Sequence, residues 1–372
     1  MTRPHILYGL PHSLYTGPAR AYLRKQGLAF VERSPRDPEF AGQVMPAIGR
    51  SIIPVLTTPS GEIIQDSIDI IDHVERAGAR LSAYPDTPRQ TFLAHLFQLF
   101  GSQGLLRAAM HYRWTYYDQQ AAFLDHAFAA GAPAGAAQNV MRRMQSYLPG
   151  LGVRDETIPL IERGYGDLLA ALDAHLSVHP YLLGGRPSLG DYGLFGPLFA
   201  HLGRDPVPSD IMKRQAPAVF RWIERLHAPD LDIPDMPDAN GWIAQDGVPA
   251  TLEALVAEMG AEMGAELADK LAWLEDHFNQ LAPADGEPVS AKPHQRTLGV
   301  APSRYRGVPD QVGVQPYLLY MVQRTEAALN ALAGADRAWA DGLLASSGLG
   351  ALGQPRQARV ERRHHIEVWA RP

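Results

Sequence analysis

A small α/β domain followed by a larger all-α part is the fold class this sequence predicts, and three observations predict it. Strand and helix signals alternate over residues 5–75, strand signals nearly vanish after the run Tyr84-Pro85-Asp86-Thr87-Pro88, and apolar residues recur at helical spacing from there on. The chain has 372 residues, and at ~150 residues per domain that length suggests two or three domains. Residues 5–10 form a short β-type run, residues 18–26 read as a helix, and Gly27 stops it. Residues 28–33 supply a second strand. Residues 52–57 and 62–65 flank the turn Pro59-Ser60-Gly61, which suits a hairpin, and a helix begins near Asp66.

The order βαβ, then ββα, packs a small mixed sheet between helices, because the first two strands need a crossover whereas the last two need only a tight turn. That is a thioredoxin-like arrangement. In the second part, Phe92, His95, Leu96, Leu99 and Phe100 recur at helical spacing, as do Ile161, Leu168, Leu169, Leu172 and Leu176, and both sets read as core stripes. Residues 131–137 form a small-residue loop. Residues 251–281 are helical, with Gly260 and Gly264 weakening the middle. Pro283, Pro288, Pro293, Pro302, Pro309 and Pro316 each lack an N–H, so a long loop without regular helix or central strand is expected there. The helical run that resumes near Tyr317 should bury Leu318 and Met321 against the preceding helices. At the end, Val360, Ile366 and Val368 alternate with polar neighbours, which predicts a terminal strand with solvated charges in Arg362-Arg363-His364-His365.

Composition narrows the chemistry. With 34 Lys and Arg against 40 Asp and Glu, the net charge is −6, and an acidic chain lacks the basic field that nonspecific nucleic-acid binding needs. Cysteine is absent, which removes disulfides, thiolate metal sites and a cysteine nucleophile. Residues 1–11 carry too short an apolar run for a signal peptide, and no stretch reaches the ~20 apolar residues of a membrane helix. A cytoplasmic protein without membrane partners is expected. The adjacent histidines near the end point to opposite faces of a strand, so no metal site is assigned.

Three short motifs carry chemistry. In Ser13-Leu14-Tyr15-Thr16-Gly17-Pro18-Ala19-Arg20 a hydroxyl follows the first strand just before a helix. Ser13 or Thr16 either caps that helix or, with the free helix amides, stabilises a bound thiolate. In Ser51-Ile52-Ile53-Pro54-Val55-Leu56 a proline opens an apolar strand. The bond before it is either an ordinary trans edge bond or a cis bond that frees the Ile53 backbone to pair with an extended peptide. In Gln65-Asp66-Ser67-Ile68-Asp69 the aspartates have N-cap and N3 spacing. They either cap a helix or, with the Ser67 hydroxyl and free amides, form a site for a carboxylate beside an ammonium.

A short peptide with an amino-acid end, an extended middle and a thiol would satisfy all three, and glutathione is such a ligand. The stretches LYGLPHSLYTGPARAYLRKQGL, IIPVL and IIQDSIDIIDHVE resemble the amino-terminal domain of the glutathione transferase family over about residues 5–76. The run Tyr181-Leu182-Leu183-Gly184-Gly185-Arg186-Pro187-Ser188-Leu189-Gly190-Asp191 resembles the family's carboxy-terminal capping segment, in which Ser188 and Asp191 form a capping box. The resemblance implies Ser13 as the catalytic residue, Ile53 pairing its backbone with the cysteinyl unit, Pro54 in cis, and Asp66 and Ser67 holding the γ-glutamyl end. Leu14 stands where relatives often carry proline, and Ile52 where they often carry a basic residue, with Arg50 two positions earlier.

The expected architecture is a thioredoxin-like glutathione-binding domain over residues 1–82, a helical transferase-like domain over 89–230, and a mainly helical extension over 231–372 packed on the second domain. The expected activity is that of a glutathione transferase acting in detoxification as a homodimer. Glutathione is the cosubstrate, and its thiolate attacks a small, partly apolar electrophile. The rivals are a noncatalytic glutathione- or protein-binding module on the same fold and a glutathione-dependent isomerase or ether-cleaving enzyme. His111-Tyr112-Arg113-Trp114 with Tyr116-Tyr117 reads as core packing before electrophile pocket. Asp72, His73 and Glu75 read as a solvated helix face.

Overall fold

The computed structural model describes residues 3–371 apart from Gly131, Ala134, Pro293, His294 and Arg296. Two positions of the small-residue loop and one proline of the expected long loop therefore lie outside the described residues. The chain opens with strand β1 (His5–Tyr8), helix α1 (Thr16–Lys25) and strand β2 (Phe30–Arg33). The short helix α2 (Met45–Ile48), strands β3 (Val55–Thr57) and β4 (Ile63–Gln65), and helix α3 (Ser67–Arg76) follow. The four strands form one sheet in the order β2-β1-β3-β4, parallel between β1 and β2 and antiparallel elsewhere. Alternation along β1 sends Leu7 to one face, where it packs with Tyr22 and Ile70, and Ile6 and Tyr8 to the other, against Phe40, Val44 and Ile48.

The helical part comprises α4 (Pro88–Leu99), α5 (Leu106–Trp114), α6 (Tyr117–Ala129), α7 (Ala136–Gln145), α8 (Ile158–Leu176), α9 (Leu189–Ala200), α10 (Pro206–Gln215) and α11 (Pro217–His227). Its apolar stripes, Leu96 and Leu172 among them, continue the same core that Leu7 enters. The Ser188–Asp191 capping box is present. Asp191 does more than cap: its Oδ1 accepts from the Leu182 amide and from Trp222 Nε1, each at 2.9 Å. One fully buried carboxylate thus joins the turn before α9 to α11. Where α9 crosses the turn after α4, a Cβ on Gly101 would lie 2.2 Å from the Gly193 carbonyl carbon. Only glycine permits that approach.

The remainder is helix α12 (Ala250–Leu281), strands β5 (Gly299–Tyr305) and β6 (Val308–Val314), helices α13 (Pro316–Asn330) and α14 (Gly334–Ser346), and strands β7 (Val360–Arg363) and β8 (Ile366–Trp369). Three expectations are corrected. First, the proline-rich stretch is not a bare loop: β5 and β6 pair antiparallel along seven positions, with Pro302 opposite Gln311 and Pro309 opposite Arg304. A two-stranded ribbon has only edge strands, so prolines that would break a central strand are tolerated.

Second, Gly260 and Gly264 do not weaken α12, which runs unbroken for 32 residues. They admit the backbone of the turn after α14, and a Cβ on Gly260 would fall 1.6 Å from the Ser347 carbonyl oxygen. Third, the chain ends in a hairpin rather than a single strand. Its turn is His364-His365, both at positive φ, and its Arg362 is largely covered rather than solvated. Leu318 and Met321 are buried in the common core as expected. Beyond the helical part, α13 also packs against the first domain.

Candidate functional site

Ser13 lies in the turn between β1 and α1. Its carbonyl accepts from the Thr16 and Gly17 amides at 3.2 Å, and its Oγ accepts from the Thr16 amide at 3.3 Å. The hydroxyl therefore already serves the first amide of α1, which puts it within the positive end of that helix's dipole. The turn is pinned from the helical part. Arg113 Nη1 donates to the His12 carbonyl at 3.0 Å while its Nε and Nη2 hold Asp205 at 2.6 and 2.9 Å. Burial, reinforced by Arg113, pushes the His12 imidazole down to about 3, so it is neutral at physiological pH. His111, Tyr112, Arg113 and Trp114 are all buried, as core packing requires.

The Ile53–Pro54 peptide is cis. The Pro54 carbonyl accepts from the Asp66 amide at 3.2 Å, so the β3 entry and the α3 entry are tied together. Asp66 caps α3, its Oδ1 accepting from the Ile68 amide at 3.0 Å and facing the Ser67 hydroxyl at 3.4 Å. Its φ of 90° is strained for a residue with a side chain. Such strain costs ~1–3 kcal/mol and persists only where surrounding contacts over-determine it.

Those contacts come from the far end of the chain. Arg362 on β7 places Nη2 2.9 Å from Asp66 Oδ2 and Nη1 2.6 Å from Asp69 Oδ2. The Tyr317 hydroxyl donates to Asp66 at 3.3 Å and the Tyr320 hydroxyl to Asp69 at 2.9 Å. The guanidinium also lies over both rings, 5.3 and 4.6 Å from their centroids. One turn along α3, Asp72 receives Arg324 at 2.8 and 3.2 Å, and Glu75 binds the Tyr22 hydroxyl at 2.8 Å. Asp72 and Glu75, expected on a solvated face, are thus partnered, Asp72 by α13 and Glu75 by α1, while Asp66 and Asp69 are covered by α13 and the terminal hairpin.

Burial pushes the Asp66 carboxyl up, but Arg362 and the Ile68 amide outweigh it and hold the group below the usual carboxylate range. For Asp69 burial wins over the same arginine, and its carboxyl sits above that range. Arg362 pays its own desolvation but stays firmly protonated between the two. Arg50 completes the set: it donates to Gln65 Oε1 at 2.8 Å and to the His365 carbonyl at 2.6 Å, and lies 3.5 Å from Glu367.

The entries of α1 and α3 face one small cavity of about 30 Å³, where Tyr15 and Ser67 meet Gln98 and Ser102 of the helical part and Tyr317 and Met321 of α13. That is room for one or two waters. The structure therefore brings Asp66 and Ser67 together at one helix start, ties Pro54 to them, and places the residues after Ser13 across the same cavity. Arg362, Tyr317, Tyr320 and Arg50 were missed as members of this cluster. For Tyr317 and Tyr320 the available signal was helical spacing, Asp66, Asp69 and Asp72 recurring about one turn apart as Tyr317, Tyr320 and Arg324 do; for Arg362 and Arg50 the sequence held none. Among the described residues no group of His, Asp or Glu is placed to hold a metal ion, and no helix is long and apolar enough to cross a membrane.

Residues 7–80 match the family model for the glutathione S-transferase amino-terminal domain, and residues 155–225 match that for the carboxy-terminal domain. No curated protein matches. Solved structures that align include a glutathione S-transferase from Xanthobacter autotrophicus Py2, 21% identical over 60% of this chain and 93% of that one, with a TM-score of 0.36. The beta-etherase LigF from Sphingobium sp. strain SYK-6 is 20% identical over 61% and 96%, with a TM-score of 0.44. FzlA from C. crescentus is 16% identical over 68% and 99%, with a TM-score of 0.40. The two domain models fall in order on the four-stranded sheet and on α8–α11, and the chain carries both domains of the glutathione S-transferase family, continued by a long extension.

Proposed function

We propose that the protein binds glutathione as cosubstrate and stabilises its thiolate for attack on a small, partly apolar electrophile. The observation that carries this reading is the convergence of two helix starts, α1 after Ser13 and α3 at Asp66-Ser67, on one cavity at the seam with the helical part. Helix N-termini favour anions, which suits a thiolate near Ser13 and a carboxylate near Ser67, while Asp66 takes the ammonium of the γ-glutamyl end. The Ile53 backbone beside Pro54 pairs with the cysteinyl unit, and the electrophile approaches from the side of α4 and the turn after it. As the family resemblance implies, the setting is cytoplasmic detoxification and the working form a homodimer.

The test is the Ser13→Ala variant at saturating glutathione, with thiolate absorbance followed against pH. Loss of a charge-assisted hydrogen bond worth ~1.5–3 kcal/mol should raise the bound thiol's pKa by about 1–2 units. An unchanged titration removes Ser13 from the role. A second reading, a noncatalytic glutathione-binding module, is favoured by one observation: the Ser13 hydroxyl and the Asp66 carboxylate both have partners within the chain. Retention on immobilised glutathione without conjugation of any electrophile would select it.

A further inference from the structure

We propose that the β7–β8 hairpin is an intramolecular latch that occupies the γ-glutamyl site, so that glutathione binds only when the hairpin tip lifts away. The inference rests on the reading of Asp66 and Ser67 as that site. The headgroup of glutathione presents an ammonium and a carboxylate on one carbon. The hairpin presents the same pair of charges: Arg362 and Glu367 are cross-strand partners, hence on one face of the ribbon, and their charged ends lie 3.3 Å apart. Arg362 binds Asp66, the carboxylate assigned to the ligand's ammonium, and Glu367 faces Arg50, three residues before Ile53 of the cis Ile53–Pro54 bond. The His365 carbonyl also takes a hydrogen bond from Arg50. Together the tip holds the stretch from Arg50 to Asp69 along which the peptide would lie.

The hairpin is built to move at this end and stay at the other. Its base is anchored: Val360 and Trp369 are buried, Gln323 exchanges hydrogen bonds with the Val360 backbone, and Trp369 packs edge-on against Phe278. Its tip carries two consecutive non-glycine residues at positive φ, His364 at 51° and His365 at 66°. That backbone is strained without help from its contacts. The tip's hold on the site is ionic and largely buried, and an ion pair taken out of water gives back much of its attraction as desolvation. The ligand's ammonium replaces the Arg362 guanidinium at Asp66, and its carboxylate takes up the α3 amides beside Ser67 instead of the place of Glu367 at Arg50. Occlusion then reduces apparent affinity by the fraction of molecules with the tip open.

The test compares glutathione binding by calorimetry in the full-length chain and in Arg362→Ala. If 1–10% of the wild-type molecules are open, the variant should bind about 10- to 100-fold more tightly, and adding Asp66→Ala to it should abolish the gain. Equal affinity in wild type and Arg362→Ala overturns the latch while leaving the site reading intact. No binding by either at millimolar glutathione overturns the site reading, and the latch with it. A measurement that needs no variant guards against misfolding: in the wild type, saturating glutathione should strip hydrogen-exchange protection from the amides of residues 362–367 at the lifting end and leave the anchored base at Val360 and Trp369, and α13, protected. Binding with those amides still protected overturns the proposal.

Discussion

Arg113 is the structural hinge pin of the Ser13 turn, and replacing it with methionine tests how the site is held. Arg113 is 2% exposed and Asp205 is 0% exposed. Arg113 makes four hydrogen bonds: two to Asp205, one to the His12 carbonyl at 3.0 Å and one to the Ala200 carbonyl at 2.6 Å. Asp205 precedes α10 but its side chain does not cap it, so no amide of that helix waits to replace the arginine. Burial already pushes the Asp205 carboxyl up against the pull of Arg113; without that pull the group must either stay charged and unpaired or take up a proton. Breaking one side of a buried pair costs about 3–5 kcal/mol, and we expect Arg113→Met to lose that much in urea unfolding. The double variant Arg113→Met with Asp205→Asn should be more stable than the single one, because the main cost is the stranded charge rather than the missing bonds. A single variant that loses less than about 1 kcal/mol, or a double variant less stable than the single, refutes the reasoning.

Two further outcomes follow from buried contacts in α12. Helix propensity alone favours Gly260→Ala by ~1 kcal/mol, but the new Cβ would overlap the Ser347 carbonyl oxygen. Overpacking should instead destabilise the variant by about 1–3 kcal/mol, and the sign of the change in denaturation midpoint decides between them. Glu262 is pushed up from 4.5 to about 7 by burial, which outweighs Arg107 and the Tyr305 hydroxyl. A raised carboxyl pKa in the folded state means stability that is full below the unfolded value and lost as pH rises through the folded one. Glu262→Gln keeps an acceptor for Tyr305 and removes that titration, so its stability relative to wild type should climb by up to ~3 kcal/mol between pH 4.5 and 7. The comparison must be a difference, because neutral buried histidines such as His12 and His175 tilt the absolute curve the other way. A flat difference assigns Glu262 an ordinary pKa.

By itself, the sequence determined what local spacing can encode. The βαβ-ββα order, the helical stripes around Leu96 and Leu172, the Ser188–Asp191 box and the cap at Asp66 all depend on hydrogen-bond and side-chain geometry within a few residues, and each is legible as a pattern. Tertiary structure decided what covers those patterns. Pro302 and Pro309 argue against a strand until their ribbon is seen to have only edges. Gly260 weakens a helix until another backbone is found pressed against it. Asp66 and Arg362, separated by 296 positions, are each an ordinary surface charge when read locally. Together they become a largely buried ion pair, because solvation and charge pairing depend on which surfaces meet, and no spacing along the chain records that.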